Sequence, residues 1–190
     1  KANSLIINVC KQLNDYDPTR AGRLIDNFVN DDLSNWYVRL NRKRFWGKEM
    51  DSDKLNAYQT LYSCLMTVAK LVAPFAPFYA DRLYHDLGGK MESVHLESYP
   101  MADTEAIDAE LEARMDIAQK ITSMTLALRR KVNIKVRQPL AQLMIPAIDD
   151  KQKQRICAVK DLIKNEVNVK EVNFVENSGF LVKKVKCNFR

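Results

Sequence analysis

Residues 53–78 read DKLNAYQTLYSCLMTVAKLVAPFAPF and combine a long apolar stripe with two prolines. Apolar side chains recur there at steps of three and four residues, which is typical of an amphipathic helix packed lengthwise in a bundle. The stripe consists of Leu55, Tyr58, Tyr62, Leu65, Ala69 and Val72. A proline cannot donate the hydrogen bond that a continuing helix needs, but Pro77 suits the first turn of a new one. The stretch predicts one helix over residues 53–72, ended by Pro74, and a second from Pro77 towards Leu87.

Apolar stripes before and after this stretch predict further helices. The first covers about residues 3–13, and the second begins with Asp17 as its N-cap and Pro18 at its first position. That second helix keeps its apolar side chains on one face as far as Leu40. A long helix over about residues 104–130 has acidic residues near its start and basic residues at its end, which complements the helix dipole. This part of the chain is therefore predicted to be an antiparallel helical bundle.

The hydrophobic period changes after Lys131. Residues 132–136 alternate between apolar and polar side chains, and residues 143–145 are a short strand candidate. A short helix follows, and then come two further strand candidates over residues 167–175 and 180–189.

We therefore predict a mainly α fold, in which an antiparallel helical bundle is followed by a small α/β subdomain. The bundle takes residues 1–131, and the subdomain takes residues 132–190. The short helix of the subdomain carries Ile156, Val159 and Ile163 on its apolar face.

The composition is that of an ordinary globular protein. The chain of 190 residues has a formal net charge of +6, and 46% of its residues are hydrophobic, which excludes wholesale disorder. No apolar run approaches the roughly 18–20 residues of a membrane span, so we expect no membrane partner and a cytoplasmic protein. The chain begins without Met in an apolar-periodic run, which indicates a piece of a longer protein.

Few residues suit catalysis or metal binding. The cysteines lie far apart without a C-x-x-C pair, so we expect neither a zinc site nor disulfides but reduced, mostly buried thiols. They are Cys10, Cys64, Cys157 and Cys187. The sequence has two histidines, His85 and His95, and His85 lies in a helical pattern where a surface or half-buried side chain is expected. The glycines never approach the spacing of a phosphate-binding loop, so we expect no nucleotide cofactor. Because the chain also lacks a nucleophile motif and metal-ligand spacing, we expect no catalytic residue and no metal in it.

The sharpest local feature is a basic and aromatic run. Residues 39–48 read RLNRKRFWGK and hold five basic residues and two aromatics without an acid. If the second helix continues at about 100° per residue, Arg39 and Lys43 fall within or beside the arc of its apolar stripe. Such a helix end suits an open groove, where guanidinium groups bind phosphate and stack on bases. The alternative is a solvated helix end that offsets the helix dipole, with Phe45 and Trp46 in the core.

A second basic run, RRKVNIKVR over residues 129–137, spans the predicted joint between bundle and subdomain. Loops held by rigid elements often carry function, so this run is a second candidate for contact with an anion. The alternative is helix-end capping by residues 129–131 followed by a polar strand face. Lysines near the C-terminus fit the solvent face of an edge strand. They are Lys183, Lys184 and Lys186.

Five segments of the chain resemble the tRNA anticodon-binding region of class I aminoacyl-tRNA synthetases. They are LSNWYVR at 33–39, RFW at 44–46, LVAPFAPF at 71–78, KVRQPL at 135–140 and NVKEV at 168–172. The third segment is similar in isoleucine, valine and leucine enzymes. Arg39 and the basic RFW segment resemble the isoleucyl-tRNA synthetases, because valine enzymes tend to carry an acid after the Trp-Tyr pair. The resemblance runs from about residue 3 to at least residue 175.

The resemblance implies four or five antiparallel helices followed by a small mixed α/β unit. It also implies a module that binds the anticodon stem-loop of isoleucine tRNA, tRNA(Ile), and orients its acceptor end for ATP-dependent aminoacylation. The class I catalytic signatures, an HIGH-like tetrapeptide and a KMSKS-like loop, are absent from this sequence. The catalytic domain, with its ATP and Mg²⁺, is therefore expected elsewhere in the parent enzyme. The zinc-binding cysteine tail of many bacterial isoleucine enzymes is absent too, and Leu40 stands where another arginine is often expected.

The residues expected to contact tRNA come from the two basic runs, which we expect to form one surface. They are Arg39, Arg42, Lys43, Arg44, Trp46, Lys48, Arg130, Lys135 and Arg137. Trp36 and Tyr37 are expected in the core, with Trp36 as its anchor. The expected partners are the tRNA(Ile) anticodon stem-loop and the remaining domains of a monomeric parent synthetase.

Three alternatives stay open at this point. The first is the matching module of a valyl- or leucyl-tRNA synthetase, which Arg39 and the RFW segment disfavour. The second is a helical protein-interaction scaffold whose basic groove binds an acidic partner. The third is an enzyme that acts through the region of His85.

Overall fold

The computed structural model describes residues 1–47, 49–146 and 149–175. The chain divides into two compact units, Lys1–Ile107 and Asp108–Arg190, and each is described by itself. Helices dominate the described residues, and a small parallel sheet lies in the second unit. The mainly α fold class is therefore confirmed, whereas the functional boundary after residue 131 stays a prediction.

The elements described in the first unit are all helices or helical turns. Its elements are α1 (Ala2–Asn14), α2 (Pro18–Asn27), a π-helix (Phe28–Val38), α3 (Arg42–Trp46), α4 (Ser52–Val72), α5 (Pro77–Asp86) and a 3₁₀ turn (Val94–Leu96). The apolar faces of α1, α2 and α4 meet in one core, because each helix carries its hydrophobic residues on a single stripe. Val9, Ile25 and Leu71 are buried there.

Caps and prolines place the helix ends where the sequence predicts them. The Asp17 carboxylate accepts a hydrogen bond of 2.9 Å from the Arg20 backbone N–H, and Pro18 opens α2. Pro77 opens α5 in the same way, after α4 has ended at Val72. These helix ends are confirmed.

The segment after α2 differs from the prediction of one regular helix to Leu40. Residues Phe28–Val38 form a π-helix, in which backbone hydrogen bonds join residues five apart and each turn is wider than in an α-helix. The chain then turns at Asn41, with φ −89° and ψ 9°, before the short helix α3. The chain therefore does not continue at 100° per residue, and the prediction that Arg39 and Lys43 lie beside the apolar stripe loses its basis.

Trp36 lies in the core, as the sequence predicts. Its side chain is 7% exposed, on the buried face of the π-helix. Tyr37 is half-buried, and its hydroxyl donates a 3.1 Å hydrogen bond to the carbonyl oxygen of Ala57 in α4. This hydrogen bond connects the π-helix to α4.

The second unit consists of one long helix, two short helices and a parallel pair of strands. Its elements are α6 (Ala109–Lys131), β1 (Leu140–Pro146), α7 (Asp150–Ala158), α8 (Lys160–Val167) and β2 (Val169–Val175). Leu140 pairs with Val169 and Ile145 with Phe174. Parallel strands need a crossover connection, and α7 and α8 provide it here.

Three local predictions for this unit are corrected. Helix α6 begins at Ala109 instead of residue 104, because the Asp108 carboxylate caps it by accepting the Leu111 N–H at 2.9 Å. The alternating residues 132–136 form turns, since the positive φ of 56° at Asn133 interrupts an extended chain. The predicted single helix is two helices, which meet at Val159. The strand candidate 180–189 lies outside the described residues.

A charged pair fixes α7 to α6. The Arg155 guanidinium donates to both carboxylate oxygens of Glu110, at 2.9 and 2.7 Å. This bidentate hydrogen bond, with further help from Arg114, lowers the pKa of Glu110 to about 2. Glu110 therefore stays ionised at neutral pH, and the bond between the two helices persists there.

The cysteines match the prediction of buried thiols only in part. Cys10 and Cys64 are half-buried free thiols, and burial raises the pKa of Cys64. Cys157 is exposed, so the prediction of buried thiols is wrong for it, while Cys187 lies outside the described residues. Within the described ranges, no helix has the length and apolar character needed to cross a bilayer, and no cluster of three His, Cys, Asp or Glu residues could hold a metal ion.

Candidate nucleic-acid interface

The two adjacent aromatics of α3 have opposite roles. Phe45 is only 8% exposed, and its ring centroid lies 5.1 Å from that of Tyr58 and 6.3 Å from that of Tyr37. Trp46, the next residue, is 73% exposed. Because Phe45 anchors the helix in the unit, the large Trp46 ring is left to solvent.

Arg44 fixes α3 to the start of α4. Its Nε and Nη2 atoms donate to the two carboxylate oxygens of Asp53, at 2.7 and 2.6 Å, and its Nη1 donates to Asn41 Oδ1 at 2.7 Å. The hydrogen bonds to Asp53 raise the pKa of Arg44. Bidentate pairs of this kind fix geometry as well as charge, so Arg44 holds the turn between the π-helix and α3.

Two further hydrogen bonds hold the end of α3. The Tyr58 hydroxyl donates to the carbonyl oxygen of Phe45 at 3.2 Å, and Lys54 Nζ donates to that of Gly47 at 2.6 Å. Both donors belong to α4. The short helix is therefore held by α4 at Arg44, Phe45 and Gly47, although five residues alone would not form a stable helix.

The exposed side of α3 presents a tryptophan and two cations. Arg42 and Lys43 are exposed, and the Arg42 guanidinium carbon lies over the Trp46 ring, 5.1 Å from its centroid. A guanidinium at this distance makes a cation–π contact and helps hold the ring in place. Arg42, Lys43 and Trp46 are called the α3 surface below.

Acidic residues limit the α3 surface on one side. An open depression of about 450 Å³ next to it is lined by Lys43, Arg44 and Lys54 but also by three carboxylates. These are Glu49, Asp51 and Asp53. Because like charges repel, a polyanion is disfavoured over the carboxylates of this depression and favoured over Arg42, Lys43 and Trp46.

The other predicted tRNA contacts of the basic run 39–48 do not belong to the α3 surface. Arg39 is half-buried at the end of the π-helix, and Arg44 is engaged with Asp53 and Asn41. Lys48 lies outside the described residues. Of the predicted set in this run, the exposed members that the structure brings together are those of the α3 surface.

The second basic run lies in the second compact unit. Arg130 is exposed at the end of α6, and Lys135 and Arg137 are exposed in the loop that leads to β1. Arg129 differs sharply from its neighbour, because it is 3% exposed and its guanidinium donates to backbone carbonyl oxygens.

Sequence reasoning did not single out Arg129, although a signal exists. The buried residues of α6 are Ala118, Thr122, Thr125 and Arg129, which follow each other at steps of four, three and four. This is the period of one helix face, so Arg129 continues the buried stripe. Its charge and its basic neighbours favoured the interpretation as an exposed helix end.

The sequence also matches a known domain family. Residues 1–145 match the family described as the anticodon-binding domain of tRNA ligase. The chain belongs to this family. The matched residues extend from α1 into β1 and include every predicted tRNA contact from Arg39 to Arg137.

Curated relatives of this anticodon-binding domain are isoleucine–tRNA ligases. The chain is 63% identical over 194 residues to the isoleucine–tRNA ligase of Bacteroides thetaiotaomicron, and 61% identical over 189 residues to that of Porphyromonas gingivalis. The enzyme of Cytophaga hutchinsonii is 53% identical over 196 residues. These alignments take in 99–100% of this chain but 17–18% of each relative. The predicted resemblance to the isoleucine branch of the family is confirmed.

Proposed function

We propose that this domain binds the anticodon stem-loop of tRNA(Ile) and orients the acceptor end towards the catalytic domain of a parent isoleucine–tRNA ligase. The observation that carries the proposal is the exposed Trp46 ring, held beside Arg42 and Lys43 on a helix fixed by α4. Unpaired bases in RNA loops stack on aromatic side chains, whereas paired bases in the deep major groove are inaccessible. The α3 surface therefore fits a single-stranded loop next to a phosphate backbone.

Each residue of the α3 surface has a distinct role in this proposal. One face of the Trp46 ring stacks on a splayed base, while Arg42 covers the other face. Stacking of this kind contributes about 1–3 kcal/mol per base. Lys43 neutralises a phosphate as a point charge, because its ammonium group has no fixed planar geometry.

The other predicted residues are assigned by their surroundings. Arg44 positions α3 through Asp53, and Arg39, which is half-buried at the end of the π-helix, remains a proposed tRNA contact. Arg130, Lys135 and Arg137 bind phosphate groups from the second unit, and Lys48 remains a proposed contact on sequence grounds alone. That the two basic runs act as one RNA-facing surface also remains part of the proposal.

The parent enzyme is inferred from the relatives. Because the chain spans about 17% of their length, ATP-dependent aminoacylation, with its ATP and Mg²⁺, is assigned to a domain outside this chain. We place the parent in the cytoplasm as a monomer, with its remaining domains as partners of this one. The valyl and leucyl alternatives are disfavoured by Arg39 and by the identity of the relatives named above.

The experiment is the salt dependence of tRNA(Ile) binding to the chain and to the variant Arg42→Ala/Lys43→Ala. Each phosphate contact contributes about 0.7–0.9 to the slope of log affinity against log salt, and the variant loses the one contact assigned to Lys43, so it should flatten the slope by about 0.7–0.9. The melting temperature should not change, because both side chains are exposed.

A matched control is Lys11→Ala/Arg23→Ala, which removes two exposed cations from α1 and α2 of the same unit. It should leave most of the slope in place. Equal slopes for the two double variants would contradict the assignment of the α3 surface. Tight binding of an acidic protein in preference to tRNA would support the scaffold alternative instead.

A further inference from the structure

In the loop of residues 132–139, the backbone carbonyl groups of residues 135–138 accept hydrogen bonds from two side chains. Arg129 Nη1 donates to the carbonyl oxygens of Lys135 and Gln138, at 3.1 and 3.0 Å. Asn168 Nδ2 donates to those of Val136 and Arg137, at 2.8 and 3.2 Å. Four consecutive carbonyl groups are therefore bound by two side chains, which are called the Arg129–Asn168 cradle below.

The cradle is itself fixed to the strand pair. Arg129 Nη2 donates to the carbonyl oxygens of Val167 and Asn168, at 2.8 and 3.0 Å, where α8 passes into β2. The Leu140 N–H donates to the Asn168 carbonyl at 3.1 Å, directly at the start of β1. The loop thus has little freedom to move independently of α6 and the sheet.

Asn168 suits its position for a backbone reason. Its φ of 52° and ψ of 61° lie in the left-handed region, which asparagine tolerates better than most residues with a side chain. This conformation ends α8 and allows the amide to reach the loop. Glycine would adopt the same backbone without strain but would lack the amide.

The cradle gives the outer side of the loop the charge pattern of an anion site. Carbonyl oxygens carry negative partial charge and would repel phosphate, but those of residues 135–138 are turned towards Arg129 and Asn168. The four hydrogen bonds of the Arg129 guanidinium go to uncharged acceptors, so its positive charge adds to that of the loop. The side chains of Lys135 and Arg137 are exposed in solvent.

We propose that Arg129 and Asn168 are positioning residues that hold this loop so that Lys135 and Arg137 contact phosphate groups of an RNA backbone. The proposal deepens and rests on the proposed tRNA binding. Its ligand is the phosphodiester group, which Arg and Lys recognise through charge-assisted hydrogen bonds. Base contacts are assigned to the α3 surface, not to this loop.

The first test needs no RNA. It compares the rate of trypsin cleavage after Lys135 and Arg137 in the unmodified chain, in Asn168→Gly and in Asn133→Gly. Asn168→Gly keeps the left-handed backbone but removes the donor to Val136 and Arg137. The matched control is Asn133→Gly, which changes an asparagine with a φ of 56° in the same loop and leaves the cradle intact. Cleavage should be faster in Asn168→Gly alone, whereas equal cleavage rates in all three chains would overturn the cradle.

The second test is the salt dependence of tRNA(Ile) binding. Asn168→Gly should weaken binding several-fold and flatten the slope by up to about 1.4–1.8, as Lys135→Ala/Arg137→Ala should do directly. In that double-variant background, Asn168→Gly should have no further effect, because the cations that it positions are gone. An equal loss in both backgrounds would show that Asn168 acts on another part of the domain and would overturn the proposal.

The two tests separate this proposal from the proposed function. If the unmodified chain bound tRNA(Ile) without any dependence on salt, the proposed function and the phosphate contacts would both fail. The trypsin comparison would still decide whether the cradle holds the loop. If the chain binds tRNA with the expected slope but Asn168→Gly leaves it unchanged, the positioning role alone is wrong.

Discussion

Trp36→Ala should lower the free energy of unfolding of the first unit by about 3–5 kcal/mol. The indole is 7% exposed, and large-to-small changes at such sites lose both the transfer free energy and the packing around the resulting cavity. Its Nε1–H group is buried without a hydrogen-bond partner among the described residues, so the cost comes from packing. Chemical denaturation followed by circular dichroism measures the change.

The control for Trp36 is ten residues further along the chain. Trp46 is 73% exposed, so Trp46→Ala should change the unfolding free energy by no more than about 0.5 kcal/mol. Trp36→Phe should recover part of the loss, because it restores most of the apolar volume. Similar small effects of both alanine changes would place Trp36 outside the core and would reopen its role as a base-stacking residue.

Arg129→Met should destabilise the second unit by about 3 kcal/mol or more. The side chain is 3% exposed, and hydrogen bonds that involve a charged partner contribute about 1.5–3 kcal/mol each. Methionine keeps the apolar stem but leaves the carbonyl group of Val167 without its donor in a buried place. Hydrogen exchange of the amides in β2, together with thermal unfolding, measures the loss.

Arg130→Met is the matched control for Arg129. It makes the same chemical change one residue further along α6, at an exposed position. Its effect on stability should stay within about 0.5 kcal/mol. If both methionine variants unfold alike, the network of hydrogen bonds around Arg129 does not stabilise the unit.

The helix ends were predictable because they depend on local chemistry. Asp17 followed by Pro18 places a cap and a first-turn proline next to each other. Pro77 likewise lies in the first turn of the helix that follows α4. The π-helix was not predictable from the apolar spacing. Its wider turn lets Phe28, Leu33 and Trp36 all be buried, and that choice depends on what packs against them.

The candidate site was predictable in composition but not in its division of roles. The run from Arg39 to Trp46 is visibly basic and aromatic, so its selection needed no structure. Which arginine is exposed and which is engaged depends on Asp53, and which aromatic is buried depends on Tyr58. Asp53 and Tyr58 both belong to α4, and the sequence does not show that α4 packs against α3.

Arg129 illustrates the same limit in the second unit. Its place in the buried stripe of α6 is a local signal, yet its partners are the carbonyl groups of Val167 and Asn168, almost forty residues away. Burying a cation is costly unless hydrogen-bond acceptors surround it, and no sequence pattern reveals those acceptors. The sequence of the loop that carries Lys135 and Arg137 therefore predicts a strand, whereas the loop forms turns that are bound by Arg129 and Asn168.

The most direct measurement compares binding of tRNA(Ile) with binding of the same tRNA carrying a valine anticodon, at one stated salt concentration. We predict tighter binding of the isoleucine form, and weaker binding of both tRNAs to Trp46→Ala, since base stacking contributes about 1–3 kcal/mol per base and every base can stack. Lys43→Ala should weaken both tRNAs equally, because a phosphate contact carries no sequence information. Equal affinities of the unmodified chain for the two tRNAs would contradict anticodon recognition by this domain.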